Sequence, residues 1–153
     1  MLRVENFSLQ LKGTDGRVLP VLEDISLDVP AGTCLGIAGE SGSGKSVLAL
    51  NVAGLFPEAV VAGRNGRIML GDLQITGAAD EDLRRLRGSR IGFIFQEPMT
   101  AMNPLMTLAD QIGETVYAHR PAVSNAEVDE MTLRALTRAG FSDPKRFWNS
   151  YPH

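Results

Sequence analysis

The sequence predicts an α/β fold with a mixed sheet, and three observations carry that expectation. The first is Gly39-Glu40-Ser41-Gly42-Ser43-Gly44-Lys45-Ser46, where a glycine, four residues and Gly-Lys-Ser stand between a short apolar run and an apolar helical stretch. The second is strand-like patterning over residues 2–29, interrupted by turn clusters. The third is a change to helical periodicity with capping signals in the last third of the chain.

Taken in order, residues 2–11 alternate loosely, with Val4, Phe7, Leu9 and Leu11 as candidates for one buried face of a strand. Lys12-Gly13-Thr14-Asp15-Gly16-Arg17 is a turn cluster. Residues 18–29 resume the strand pattern, with an interruption around Glu23-Asp24. Pro30-Ala31-Gly32 turns the chain into Cys34-Leu35-Gly36-Ile37-Ala38, an apolar run of strand length, and residues 46–55 read as a buried helix, apolar almost all round. Residues 54–57 break that helix. Gly63-Arg64-Asn65-Gly66 reads as a second turn, and residues 67–70 and 73–75 read as a hairpin around Gly71-Asp72. A short charged helix over 81–87 follows, then Ile91-Gly92-Phe93-Ile94-Phe95, expected to be buried on both faces in the sheet that holds residues 34–38.

Thr107-Leu108-Ala109-Asp110 has capping-box spacing, with Asp in the usual Glu or Gln position, and opens a helix whose Leu108, Ile112 and Val116 share a face before Pro121. Ser124-Asn125-Ala126-Glu127 is a second box, with Val128, Met131, Ala135 and Ala139 expected on one face and Gly140 as the stop. Asp143-Pro144 suits a further short helix start. The stripes read as packing surfaces of a small helical subdomain.

With 153 residues, 44% hydrophobic and 22% charged, the chain has the composition of a soluble globular protein. A net charge of −3 gives no footprint for nucleic acid. Arg84, Arg85, Arg87 and Arg90 cluster, and read as a solvated helix face. Cys34 is the only cysteine, so an internal disulfide framework and a paired-cysteine zinc site are excluded, and its place in an apolar run predicts a buried core residue in a reducing compartment. His119 and His153 are too few and too isolated for a metal site. No run reaches the ~18 apolar residues of a membrane span and the first residues lack a signal peptide's apolar core, so the chain is expected inside the cell.

The glycine-rich stretch has a mechanism in that setting. A strand feeding a glycine-rich turn and a helix start leaves unpaired N–H groups converging where the helix dipole adds positive potential, which suits a polyphosphate. Gly39, Gly42 and Gly44 can take positive φ and let the backbone close around phosphate oxygens. Lys45 is expected to reach the β- and γ-phosphates and the Ser46 hydroxyl to ligate Mg²⁺, with Glu40, Ser41, Ser43 and Val47 completing the nucleotide contacts. Gln96 ends the apolar run at 91–95, where open α/β sheets bind ligands at the C-terminal edge of their strands. Its amide could ligate Mg²⁺ through the carbonyl oxygen or donate to phosphate, and from the residues alone it could equally be a polar strand exit.

The phosphate loop 39–46, the element 91–96 and the run Glu97-Pro98-Met99-Thr100-Ala101-Met102-Asn103-Pro104 together resemble the ATP-binding subunit of an ATP-binding cassette (ABC) transporter, in the dipeptide/oligopeptide importer branch. The likeness runs from Val4 to His153. It implies a P-loop NTPase fold with a RecA-like core and an N-terminal antiparallel β subdomain. Residues 1–104 would hold these, and residues 105–153 would be part of a helical subdomain in an incomplete domain. It implies ATP and Mg²⁺ as ligands, Lys45 and Gln96 in catalysis, Ser46 and Gln96 at the metal, and Val18 near adenine or ribose. It also implies permease subunits, a second ATP-binding subunit and, indirectly, an extracytoplasmic solute-binding protein as partners, at the cytoplasmic face of the membrane.

Two departures qualify the likeness. Leu11 stands where the family commonly presents an aromatic ring to the adenine, which forfeits a stacking contribution of ~1 kcal/mol. Tyr151-Pro152-His153 resembles the lead-in to the family signature Leu-Ser-Gly-Gly-Gln, and neither that signature, the second acidic motif nor the switch histidine is in the sequence. These residues by themselves are therefore expected to bind nucleotide with negligible hydrolysis, and to expose apolar sheet surface that further central strands would cover. The rival readings are a soluble cassette ATPase of DNA repair or translation, a small-molecule kinase, and an inactive nucleotide-binding fragment. The first usually carries zinc cysteines or basic insertions, and the second leaves the leading antiparallel strands unexplained.

Overall fold

The computed structural model describes residues 1–153, which divide into two compact units, Met1–Arg87 and Gly88–His153. The division falls ahead of the 104/105 boundary expected from the sequence.

The first unit is built on a four-stranded antiparallel sheet of order β2-β1-β3-β4, with β1 Leu2–Lys12, β2 Val18–Val29, β3 Val61–Leu70 and β4 Leu73–Gln74. Alternation along β1, shifted by one residue at the irregularity around Asn6, places Val4, Phe7 and Leu9 in the core at 1% exposure or less, and Leu22, Ile68 and Ile75 join them. The expected break in β2 is real: Asp24 adopts φ 47°, facing a second left-handed residue, Asn6 at φ 46°. The Asn6 side chain donates to Asp24 Oδ1 at 2.9 Å, while the Asp24 amide donates to Ser8 Oγ and the Asn6 amide to Ser26 Oγ. Side-chain oxygens thus satisfy amides that the irregular ladder leaves unpaired.

The β3–β4 hairpin turns at Gly71-Asp72 as the sequence predicts. Residues 63–66 do not form the expected turn; they lie inside β3, where Gln10, Leu9 and Ser8 of β1 pair with Gly63, Arg64 and Asn65. The glycines there serve a ladder irregularity. A Cβ on Gly66, at φ 75°, would lie 2.3 Å from the Asn6 carbonyl oxygen, so only glycine lets the strands pass.

Helix α1, Lys45–Val52, and helix α2, Asp80–Leu86, complete the unit. Leu48 and Asn51 are buried in α1 while Ala49 is exposed, so the helix is covered on one side and not all round. In α2, Arg84 and Arg85 pair with Asp80 and Glu81 one turn earlier, the solvated face expected of that cluster. Arg87 departs from it by donating to the Gly54 carbonyl.

Residues 34–38 and 91–95 correct the sequence expectation. Neither run forms a strand beyond a single bridge at Ile91. Cys34 is exposed, Leu35 and Ile37 are about half exposed, and Ile94 is 92% exposed. A strand exists only through hydrogen bonds to a neighbour, and within each unit no ladder takes in these residues.

The second unit holds α3 Pro98–Ala101, α4 Leu108–His119 and α5 Asn125–Arg138, followed by a 3-10 turn at Pro144–Phe147. Both boxes cap their helices: Thr107 accepts from the Asp110 amide, and Ser124 and Glu127 form the full reciprocal pair. The buried face of α5 is Val128, Thr132 and Leu136, spaced by four, with Ala135 and Ala139 exposed contrary to expectation. Gly113 of α4 faces Val128, and a Cβ there would approach its Cγ1 to 3.2 Å. Contact with α4 at this point turns α5 toward its 128–132–136 stripe.

Candidate nucleotide-binding site

The glycine-rich stretch lies in the first unit, and two of the three glycines expected to take positive φ do so, while Gly39 does not. Gly42 and Gly44 have φ 83° and 88°, and α1 starts at Lys45 with Gly44 as its N-cap. The first intrahelical bond runs from the Leu48 amide to the Gly44 carbonyl at 2.8 Å. The amides of Lys45, Ser46 and Val47 therefore point out of the helix end without intrahelical partners, as helix geometry requires. No side chain caps this end and no acidic residue occupies its first turn. The positive end of the helix is thus not neutralised by the protein's own carboxylates.

The Lys45 ammonium folds back over the loop. Its Nζ donates to the carbonyls of Gly39 at 2.8 Å and Glu40 at 2.6 Å, and to Ser43 Oγ at 3.2 Å. A charge held this way fixes the curvature of residues 39–43, which a further bond from the Ser43 amide to the Glu40 carbonyl tightens. The loop is anchored to β2 as well. A Cβ on Gly44 would meet Leu22 Cδ2 at 2.7 Å and the Val21 carbonyl at 3.3 Å. Close approach and positive φ therefore both demand glycine at position 44.

That contact orients the turn end of the β1–β2 hairpin. Leu9 pairs with Leu22 and Leu11 with Leu19, so these four side chains share the face on which Leu22 meets the loop. Val18 pairs with Lys12 and lies on the other face. Leu19 is 51% exposed and Val18 54%. The extra residue that β2 carries between its pairings with Leu9 and Gln10 shifts the alternation by one, and no local signal announces such a bulge.

Gln96 lies in the second unit, exposed, immediately ahead of α3. No group of three or more His, Cys, Asp or Glu side chains is arranged to hold a metal ion. Within the first unit the expected metal ligand is the Ser46 hydroxyl, beside oxygens brought by the nucleotide. A cavity of about 590 Å³ opens at the far end of α1, crossed by Arg64, which donates to Glu58 at 2.9 Å and to Asn51 at 3.2 Å. It is separate from the glycine-rich loop, and sequence reasoning missed it because Arg64 reads as a turn residue.

A family model described as ABC transporter matches residues 22–152. The chain belongs to the ABC transporter family. Among curated relatives, the oligopeptide transport ATP-binding protein OppD of Mycobacterium tuberculosis is 36% identical over all of this chain and 24% of its own length. The dipeptide transport ATP-binding protein DppD of Bacillus subtilis is 35% identical over all of this chain and 45% of its own length. YejF of Escherichia coli, an ABC transporter ATP-binding protein, is 39% identical over all of this chain and 28% of its own length. The chain thus spans less than half the length of these relatives. Among solved structures, the dimeric bacterial ABC transporter cassette MJ0796 superposes with a TM-score of 0.81 at 25% identity, over 99% of this chain and 62% of that one. A second structure of MJ0796, bound to ADP and Pi, superposes equally well. The cassette fold and the oligopeptide/dipeptide likeness read from the motifs stand.

Proposed function

We propose that this chain is the phosphate-binding portion of an ATP-binding subunit that energises the import of a solute, peptides by class, across the cytoplasmic membrane. One observation carries the reading: the loop 39–46 is already curved, with Lys45 drawn over it and an uncapped helix start beneath. That arrangement fits a polyphosphate, because amides fixed before binding lose little freedom when an anion arrives.

In this reading Gly39, Glu40, Ser41, Gly42, Ser43 and Gly44 line the phosphates with their backbone, and the Lys45 ammonium leaves the carbonyls to meet the β- and γ-phosphates. The amides of Ser46 and Val47 add donors. Ser46 and Gln96 are the residues expected to hold Mg²⁺, which would offset the charge of the phosphates. Residues 1–104 supply the cradle and the glutamine, and residues 105–153 the helical portion. The names of the relatives support peptide import, a membrane permease as partner and a place at the cytoplasmic face. The dimeric cassette supports pairing with a second ATP-binding subunit.

Nucleotide titration with and without Mg²⁺ tests the site. Lys45→Ala should abolish tight binding of ATP and ADP, whereas Gln96→Ala should leave ADP affinity intact and change mainly the Mg²⁺ dependence of ATP binding. Unchanged affinity in Lys45→Ala would remove the basis of the proposal.

A further inference from the structure

We propose that the second unit carries a binding site for a small zwitterion with an apolar side chain, a free amino acid or a dipeptide, in the notch between α5 and the 3-10 turn at Pro144–Phe147. The inference stands apart from the phosphate loop, which belongs to the first unit.

The notch is a cavity of about 340 Å³ lined by Asp129, Leu133, Lys145, Trp148 and Asn149. That volume lies at the lower end of the ~300–1,000 Å³ of small-molecule pockets, which suits a ligand of one or two residues. Both walls are held by contacts outside the notch. On the turn side, Phe141 and Phe147 meet edge to face with ring centroids 4.9 Å apart, and the Asp143 carboxylate accepts from the Arg146 amide at 3.4 Å. The Ser150 carbonyl accepts from the Leu108 amide at the start of α4 at 2.8 Å. On the helix side, Val128, Thr132 and Leu136 anchor α5 in the core. A site fixed in this way loses little freedom when a ligand arrives.

The polar groups that line the notch are uncommitted. Asp129 and Lys145 carry opposite charges, yet they form no ion pair with each other, and neither side chain is bonded to any other residue. The acids beside Asp129 on α5 are taken up elsewhere, Glu127 by Ser124 and Glu130 by Arg134. The Trp148 indole N–H and the Asn149 side chain also have no partner in the protein. The rest of the lining is the Trp148 ring and Leu133, both partly buried. A simple anion would be repelled by Asp129 and a simple cation by Lys145. A zwitterion meets each with the opposite charge, its ammonium donating to Asp129 and its carboxylate accepting from Lys145. Its side chain then covers the indole and Leu133, apolar surface that is otherwise left to water.

Trp148 is the only tryptophan, so its fluorescence reports occupancy of the notch directly. Titration of the chain with leucine and with dileucine should give a saturable change in emission and matching heats by calorimetry, and the tighter of the two fixes the size of ligand the notch takes. The N-acetyl form of that ligand, without the ammonium, and its amide, without the carboxylate, should each bind about five- to tenfold more weakly. Its glycine counterpart, without the side chain, should lose about tenfold or more. Asp129→Asn should erase the difference between the ligand and its N-acetyl form, and Lys145→Gln the difference between the ligand and its amide. Both positions are exposed, so circular dichroism should show both variants folded. Absence of saturation by leucine and dileucine at concentrations on the order of 10 mM would overturn the proposal. Equal binding of the ligand, its N-acetyl form and its amide would overturn it too, by reducing the notch to an apolar cleft. So would differences among them that persist unchanged in both folded variants, because the charges of Asp129 and Lys145 would then not be the ones that recognise the ligand.

Discussion

Gly42 and Gly44 stand two residues apart in the same loop with nearly the same positive φ, yet they are glycine for different reasons. Around Gly42 a Cβ would meet nothing within 4 Å, so an alanine there bears only the left-handed penalty of ~1–2 kcal/mol. At Gly44 the methyl would also press into Leu22, which is itself 5% exposed and has no room to turn aside, adding ~1–3 kcal/mol. Urea denaturation should therefore rank Gly44→Ala clearly below Gly42→Ala in stability; equal losses would mean that the loop does not lean on β2. The spacing of these glycines was legible in the sequence. The contact with Leu22 was not, because it joins residues far apart in the chain through a bulged strand.

Helix α5 shows what a single element can carry by local chemistry. Ser124 accepts from the Glu127 amide, and the Glu127 carboxylate accepts from the Ser124 amide at 3.1 Å and its hydroxyl at 2.7 Å. The hydroxyl bond first, and the amide bond second, hold the Glu127 carboxyl below its ordinary value. Since the folded value lies below the unfolded one, this support is present above the usual glutamate range and is lost as pH falls through the lowered value. Denaturation midpoints should show the advantage of wild type over Glu127→Ala shrinking as the solution is acidified from neutrality to below about pH 4, the ordinary glutamate range. Ser124→Ala should cost about 1 kcal/mol at neutral pH, the usual loss for a removed N-cap. At the start of α4, Thr107 accepts from the Asp110 amide at 3.2 Å and its hydroxyl donates to the Asp110 carboxylate at 2.6 Å. In both cases the start of the helix was set by four consecutive residues, whereas its buried face was set by what packs against it, which is why Thr132 and not Ala135 faces inward.

Over the whole molecule, apolar side chains remain on the surface, among them residues of the runs 34–38 and 91–95 that the sequence places in a sheet. Ile94 is 92% exposed and Leu105 85%, with Leu35 and Ile37 near half. Replacing Ile94 or Leu105 by lysine should leave the unfolding free energy within about 0.5 kcal/mol, as at other surface positions, and should reduce self-association in sedimentation. A loss of several kcal/mol would show that these side chains are buried in the folded protein. The sequence by itself determined the glycine-rich turn into α1, the two helix caps, the hairpin at Gly71-Asp72 and the family, because each rests on residues adjacent in the chain whose backbone preferences and hydrogen bonds are local. Only the tertiary structure decided that residues 63–66 continue a strand, that residues 34–38 and 91–95 stay out of any ladder, and that Leu19 rather than Val18 shares the face of Leu11. Those outcomes depend on which distant segment supplies the pairing partner, and hydropathy along a chain carries no record of its neighbours in space.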